Sequence, residues 1–165
     1  MRLYRVCRLR AIAAEAIDGH GAAHSPGRWN VRGVRAVYLA SRVALGLLEV
    51  VVQSGTVALA DYAYYPVRVP DELLTRLDRT RLSADWRTVA RGREECRALA
   101  DEWHASGASA GLIVPSAVVP EAYDEGEFNV VLDPEHRDFR VVTLDAPARL
   151  EVDSRLTALV ARLRS

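Results

Sequence analysis

The stretch spanning residues 34–53 limits the possible folds more than any other part of this chain. Residues 34–40 have strand composition, and Ser41 then offers a side-chain oxygen for capping a helix predicted over residues 42–53. Arg42, Gly46, Glu49 and Gln53 fall at i, i+4, i+7 and i+11 of that helix. They therefore share one stripe of a surface otherwise made of Val, Leu and Ala. Such a stripe is either a narrow solvated face or one wall of a cleft. In the second case Glu49 faces a ligand and Gly46 gives that ligand room to approach the backbone. Periodicity alone does not choose between them.

The flanking segments supply the rest of a sheet. Leu3-Tyr4-Arg5-Val6 reads as a short strand, followed by a helical or irregular connection over residues 11–17. Three glycines and a proline within residues 19–27 predict a loop that delivers Arg28, Trp29 and Asn30 to a defined place. Gly55 ends the central helix, residues 56–69 return as one strand or a bent pair closed by Pro70, and a short helix follows over 71–77. Val89, Cys96, Leu99, Ala100 and Trp103 recur at helical spacing until Gly107, which leaves Arg93, Glu94, Arg97 and Asp101 on a solvated face. Residues 112–119 are a β-type run broken by Pro115, which sets Ser116 at a kink or an edge. After a polar loop over 121–127, Phe128, Val130 and Leu132 alternate with Asn129 and Val131, so Asn129 points opposite Phe128. Residues 139–144 form another strand. Leu156, Leu159, Val160 and Leu163 mark one face of a C-terminal helix capped by Asp153. Strands and helices alternate irregularly, which predicts a mixed α+β fold with largely antiparallel pairing rather than a doubly wound sheet.

Composition narrows the class. At 165 residues, half of them hydrophobic, the chain suits one packed domain over residues 1–165. The 22 basic and 22 acidic residues cancel, so no overall positive field draws it to nucleic acid or an anionic membrane. A DNA-binding regulator would need a basic recognition element that this balance does not supply. All basic residues are Arg, which reads as coding bias. Cys7 and Cys96 stand alone and far apart, so neither a disulfide framework nor a redox motif is indicated, and a cytoplasmic setting is expected. No targeting signal or bilayer-spanning run is evident.

Among possible chemical groups, Gly27-Arg28-Trp29-Asn30 sets a guanidinium between a flexible residue and an aromatic plane. That composition suits a phosphate or pyrophosphate beside a stacked base. It equally suits a turn in which Trp29 packs inward and Arg28 is a surface charge. Tyr38, by itself, reads as an ordinary half-buried strand tyrosine. His20 and His24 have the spacing of helical metal ligands, but the neighbouring glycines argue against a helix and no third ligand is near, so no metal is expected. Nothing resembles a Walker loop, a GxGxxG turn, a GxSxG elbow or a Cys/His nucleophile arrangement.

Taken in order, the motifs resemble a known family. Arg5, Gly27-Arg28-Trp29-Asn30, Val37-Tyr38-Leu39-Ala40-Ser41, Ala44-Leu45-Gly46-Leu47-Leu48-Glu49, Pro115-Ser116, and Asn129 through Leu132-Asp133-Pro134 together resemble the RES domain, named for its Arg, Glu and Ser. Pro26-Gly27 replaces the usual Gly-Gly, and Gly46 the usual Ala. The resemblance implies a fold similar to the ADP-ribosyltransferase toxins and degradation of NAD as a substrate, with no cofactor. It further implies a toxin role, with a cognate Xre-type antitoxin occluding the active site. A homodimer or a hetero-oligomer with that antitoxin fits equally. Carried over by motif, Arg28, Tyr38, Glu49 and Ser116 form the expected active-site set, with Asn129 and Arg5 as further substrate-binding candidates. Arg28 would grip the pyrophosphate, Tyr38 stack on or orient the nicotinamide, Glu49 bond ribose hydroxyls and stabilise developing positive charge, and Ser116 position ribose or phosphate. Water, phosphate or a protein side chain could each be the acceptor. A noncatalytic nucleotide-binding module is the other class these residues allow.

Overall fold

Two-residue alternation along the apolar runs is what assembles the sheet. The computed structural model describes residues 1–10, 12–54, 61–156 and 158. Among them are eight strands: β1 (Arg2–Arg8), β2 (Val37–Ala40), β3 (Tyr62–Arg68), β4 (Leu74–Arg76), β5 (Gly111–Val114), β6 (Asn129–Leu132), β7 (Thr143–Leu144) and β8 (Ala148–Arg149). They are ordered β4-β5-β6-β2-β1-β3-β7, with β8 also on β3. Every pairing is antiparallel except that of β4 on β5. The fold is therefore mixed α+β with a largely antiparallel sheet, as the irregular alternation predicts.

Register decides which side chains share a face. Tyr38 lies opposite Val131, which lies opposite Leu112, and Ala40 lies opposite Asn129, which lies opposite Val114. These two rows belong to one face, since residues two apart on a strand point the same way. Two of the three described α-helices, α1 (His20–His24), α2 (Val43–Ser54) and α3 (Arg91–Ser106), cover it. Cys96 and Ala100 of α3 pack with Ala36, Leu112, Val114 and Val131. α2 lies close over β1 and β2 because residue 46 is glycine: a Cβ there would come within 2.6 Å of Val6 Cγ2. Gly46 thus serves helix-to-strand contact, not the approach of a ligand. The opposite face buries Leu3, Val37, Leu39, Val67, Ile113, Val130 and Leu132 under Ile17, Tyr123, Phe139 and their neighbours.

Several elements differ from their sequence-based expectation. Residues 20–24 form a single helical turn, α1, entered through Gly19 in the left-handed region, where the glycines and proline predict a loop. Gly19 takes the positive φ just before the turn, where it costs a glycine nothing, and Gly21 adopts ordinary helical backbone within it. Residues 71–73 make a 3-10 turn and then β4, not a helix, because Leu74–Arg76 can pair in parallel with β5. Likewise Phe139–Val141 is a 3-10 turn and only Thr143–Leu144 is strand. Ser41 is not used as a helix cap. Its hydroxyl accepts from Phe128 N, and Ser41 N donates to Phe128 O, which extends the β2–β6 ladder by one residue. Val89 precedes α3 and is 72% exposed. Of the predicted C-terminal helix, Leu159, Val160 and Leu163 lie outside the described residues, as does the first part of the strand predicted over 56–69.

Candidate active site

Where α2 passes the ends of β5 and β6, three side chains converge. Ser116, just past Pro115 at the end of β5, is 0% exposed. Its Oγ donates to Glu49 Oε1 at 2.7 Å and accepts from Val118 N and Val119 N at 3.0 and 3.3 Å. Asn129, on the α2 side of β6, donates from Nδ2 to the same Glu49 oxygen at 2.6 Å. Pro115 removes one ladder donor and ends β5, so the chain bends inward and Ser116 is sealed against the sheet end. Glu49 is half-buried, while Arg42 and Gln53 on its stripe are exposed. The stripe is thus not a uniform solvated face. Among the described residues, Glu49 has no ion-pair partner, and Oε2 carries no hydrogen bond. Both donors that hold it are neutral, so no cation among the described residues is paired with the carboxylate.

Arg28 and Tyr38 belong to an adjoining network. The Tyr38 hydroxyl accepts from Trp29 N at 3.0 Å and donates to Asn30 Oδ1 at 2.8 Å. Asn30 is 2% exposed, and its amide also accepts from Gly27 N and donates to the carbonyls of Ala22, Val31 and Val34. Every polar atom of that buried side chain is satisfied, which fixes the loop's shape. Burial pushes the Tyr38 phenol well above its ordinary value, so it stays a neutral donor. The ring passes so close to Gly27 that a Cβ there would lie 2.6 Å from the Tyr38 oxygen. Arg28 extends from this loop toward residues 86–88. Nη1 donates to Trp86 O and Thr88 O, Nη2 donates to Arg87 O, and the guanidinium lies 5.8 Å from the Trp86 ring centroid. Trp29 is buried at 4%, but Arg28 is half-buried and anchored, not the free surface charge that a simple turn would leave.

A line of contacts joins the two networks. Arg87, whose carbonyl is bound by Arg28, donates its own Nε to Ala117 O, and Ala117 follows Ser116. Arg5 occupies a different place. β1 and β2 share only the Tyr4–Ala40 pair before diverging, and Arg5 spans the opening by donating to Tyr38 O at 3.1 Å and Ala16 O at 3.2 Å. It touches the backbone behind Tyr38 and not Glu49.

Two residues of this region escape the sequence reading. Asn30 organises the loop, and only its place in the Gly-Arg-Trp-Asn run hints at that. Arg97, assigned by spacing to the solvated face of α3, is instead half-buried, with Nη2 donating to Gly27 O at 3.3 Å. Its signal was available: it stands three residues before Ala100 and seven before His104, on the border of the apolar stripe. His20 and His24 do end on one helix, yet His20 pairs with Asp18, and no group of three or more His, Cys, Asp or Glu able to hold a metal occurs among the described residues. Cys7 and Cys96 are both free and buried. No described helix is long and apolar enough to cross a membrane.

Comparison with known proteins gives the family of the chain. The family model for the RES domain matches residues 2–153. "Toxin Res" of Photorhabdus laumondii is 37% identical over 159 residues, covering 94% of this chain and 97% of that protein. "Toxin Res" of Yersinia enterocolitica is 33% identical, covering 85% and 88%. The "Prs ADP-ribosylating toxin" of a Sphingobium species is 37% identical, covering 78% and 79%. Among solved structures, a chain of the M. tuberculosis MbcT–MbcA toxin-antitoxin complex superposes with a TM-score of 0.69 at 22% identity, over 99% of this chain and 88% of that one. At that identity the likeness is one of fold.

Proposed function

The chain belongs to the RES domain family, and from that premise we propose that it is a toxin of a toxin-antitoxin pair that breaks the bond between nicotinamide and ribose in NAD. The observation that supports this most is the separation of charge. Glu49 is an unpaired, half-buried carboxylate, whereas Arg28, on the neighbouring loop, is a half-buried cation held by neutral groups: three carbonyls, the Trp86 ring and the Cys96 thiol. NAD has the complementary layout: an anionic diphosphate at its centre and a cationic nicotinamide at one end.

The residues then take these roles. Arg28 turns its remaining N–H groups to the diphosphate. The hydroxyl of Tyr38 is committed to Trp29 and Asn30, so Tyr38 meets the nicotinamide with its ring. Glu49 Oε2 bonds the ribose hydroxyls and stabilises the positive charge that develops as the glycosidic bond breaks. The bonding electrons leave with the nicotinamide nitrogen, and neutral nicotinamide departs without needing a proton. One carboxylate can therefore suffice where ordinary glycosidases use two. Ser116 and Asn129 hold Glu49 in its rotamer and leave Oε2 directed at substrate. The acceptor at the anomeric carbon is water or phosphate. An Xre-type antitoxin that covers the site would keep the activity from harming the cell that makes it.

The ADP-ribosylating activity named for the Sphingobium relative favours a second reading, in which the same site passes ADP-ribose to a protein side chain. Purified protein given NAD, with and without phosphate and a lysate, separates the readings. Free ADP-ribose denotes hydrolysis, ADP-ribose 1-phosphate phosphorolysis, and labelled protein transfer. Absence of any NAD loss beyond one equivalent would refute all three and leave a binding module.

A further inference from the structure

An arginine presents five N–H donors in a planar fork. Arg28 commits three of them to the carbonyls of residues 86–88. Arg97 commits one, at the long distance of 3.3 Å, to Gly27 O. Its Nε is buried and without a partner. No carboxylate stands within ion-pair distance of either guanidinium among the described residues. Elsewhere the protein does pair its arginines: Arg68 with Asp145, Arg79 with Asp124 and Arg81 with Glu102, all on the surface where pairing matters least. Both half-buried cations at the Gly27-Arg28 segment are left without a carboxylate among the described residues.

Such an arrangement is unfavourable in the absence of an anion. Arg28 on its loop and Arg97 on α3 both reach this segment without a counter-ion, and a buried donor left unpaired loses its hydration with no return. α3 nevertheless turns Arg97 inward, although its place on the helix border would let it extend to solvent. A group that supplied several oxygen acceptors and at least two negative charges would satisfy the terminal N–H groups that Arg97 leaves unused and the uncommitted donors of Arg28 together. A diphosphate has that chemistry. A single carboxylate does not reach two forks.

We propose that Arg97 is a second diphosphate-binding residue, which with Arg28 holds the bridging phosphates of a dinucleotide against the Gly27-Arg28 segment. This rests on the reading of the substrate as NAD. Arg97 contacts neither Glu49 nor Ser116, so it contributes to binding and not to bond breaking.

The test uses ADP-ribose, which carries the diphosphate but no scissile nicotinamide bond, and nicotinamide riboside, which carries the bond but no phosphate. Arg97→Met should weaken calorimetric binding of ADP-ribose by about 10- to 100-fold, the value of one charge-assisted contact. It should raise KM for NAD by a similar factor and leave kcat and the turnover of nicotinamide riboside unchanged. Arg97→Lys, which keeps the charge and a donor for Gly27 O but not the fork, should recover part of the affinity. It also serves as the deciding variant if the methionine form does not fold. Unchanged ADP-ribose affinity in the variants would overturn the proposal. So would equal losses on NAD and nicotinamide riboside, which would assign Arg97 to shaping the Gly27 loop. Because ADP-ribose binding needs no turnover, a wild-type protein that binds it but consumes no NAD would refute the enzymatic reading and leave the Arg97 assignment standing.

Discussion

Glu49→Gln separates catalysis from structure because of how the carboxylate is held. Both hydrogen bonds from the protein, from Ser116 Oγ and Asn129 Nδ2, end on Oε1. A glutamine can direct its carbonyl oxygen to the same two donors and place its NH2 where Oε2 was, a position that is not a sealed, unpaired site. What is lost in the folded state is the charge assistance of two hydrogen bonds, roughly 1 kcal/mol in all. For a domain of this length that lowers the melting temperature by about 2–4 °C. Alanine would be a poorer probe, since it strands the hydroxyl of Ser116, which is 0% exposed, at a cost of about 1–3 kcal/mol. If Glu49 stabilises charge that exists only as the nicotinamide bond breaks, removal of its own charge should lower turnover by about a hundredfold to a thousandfold, or roughly 3–4 kcal/mol. ADP-ribose affinity should largely persist. The assay is NAD consumption and ADP-ribose calorimetry on one folded preparation. Turnover near wild type with intact folding would refute the reasoning and return the Ser116–Glu49–Asn129 cluster to a structural tie.

Gly27→Ala puts a Cβ 2.6 Å from the Tyr38 oxygen, which Trp29 N and Asn30 hold in place, so the variant should lose about 1–3 kcal/mol in denaturant melts; an unchanged midpoint would show that the loop can shift. Arg28→Ala should weaken ADP-ribose binding by about 1.5–3 kcal/mol and, because three carbonyls lose their donor, speed proteolysis near residues 86–90. Unaltered affinity would remove the diphosphate role, and unaltered cleavage the anchoring role. Cys96, fully buried, has its thiol pushed up from 9.0 to about 11 by desolvation. An unfolded thiol ionises first as pH rises, so the folded state keeps this contribution below pH 9 and loses it between about pH 9 and 11. Cys96→Ala should flatten that part of the melting-temperature profile, and equal slopes in the two proteins would refute the assignment.

How far the sequence was legible depended on whether a signal was local. Glu49, Ser116 and Asn129 sit on three separate elements, and each carried a sign of its own: a polar break in an apolar helix stripe, a residue behind Pro115, and the polar phase of an alternating strand. Only the ordered motif set tied them together, because convergence is a matter of sheet order, and β5, β6 and β2 are neighbours in space through β-pairing that no spacing rule states. Ser41 was misread for the same reason: a cap is a local event, but its hydroxyl is taken by Phe128, 87 residues away. Residues 71–77 and 139–144 failed because two- and three-residue strands have no period to detect and exist only where a neighbour offers an edge. Arg97 was placed on the solvent side because charge outweighed position at the border of a stripe. A border arginine can lay its stem along apolar surface and turn its head either way.

The charge pattern gives one more step. The chain is neutral overall, with 22 basic and 22 acidic residues, so the unpaired charges around Glu49, Arg28 and Arg97 are not the remainder of a global excess. They could have neutralised one another had the fold brought carboxylate and guanidinium within reach. Instead, neutral groups hold each: a serine and an amide for Glu49, backbone carbonyls for the two arginines. That separation costs stability in the free protein, since half-buried charges without counter-ions are poorly solvated. A ligand that supplies an anion beside the arginines and a cation beside Glu49 removes both deficits at once. It must therefore stabilise the fold beyond what its contact area alone would contribute, and stabilisation grows with ligand concentration as binding saturates the native state. Such separated charge is also what transition-state stabilisation requires. A carboxylate already paired with an arginine would offer little to an oxocarbenium ion, whereas one held in place by a hydroxyl and an amide is oriented and has no cation beside it.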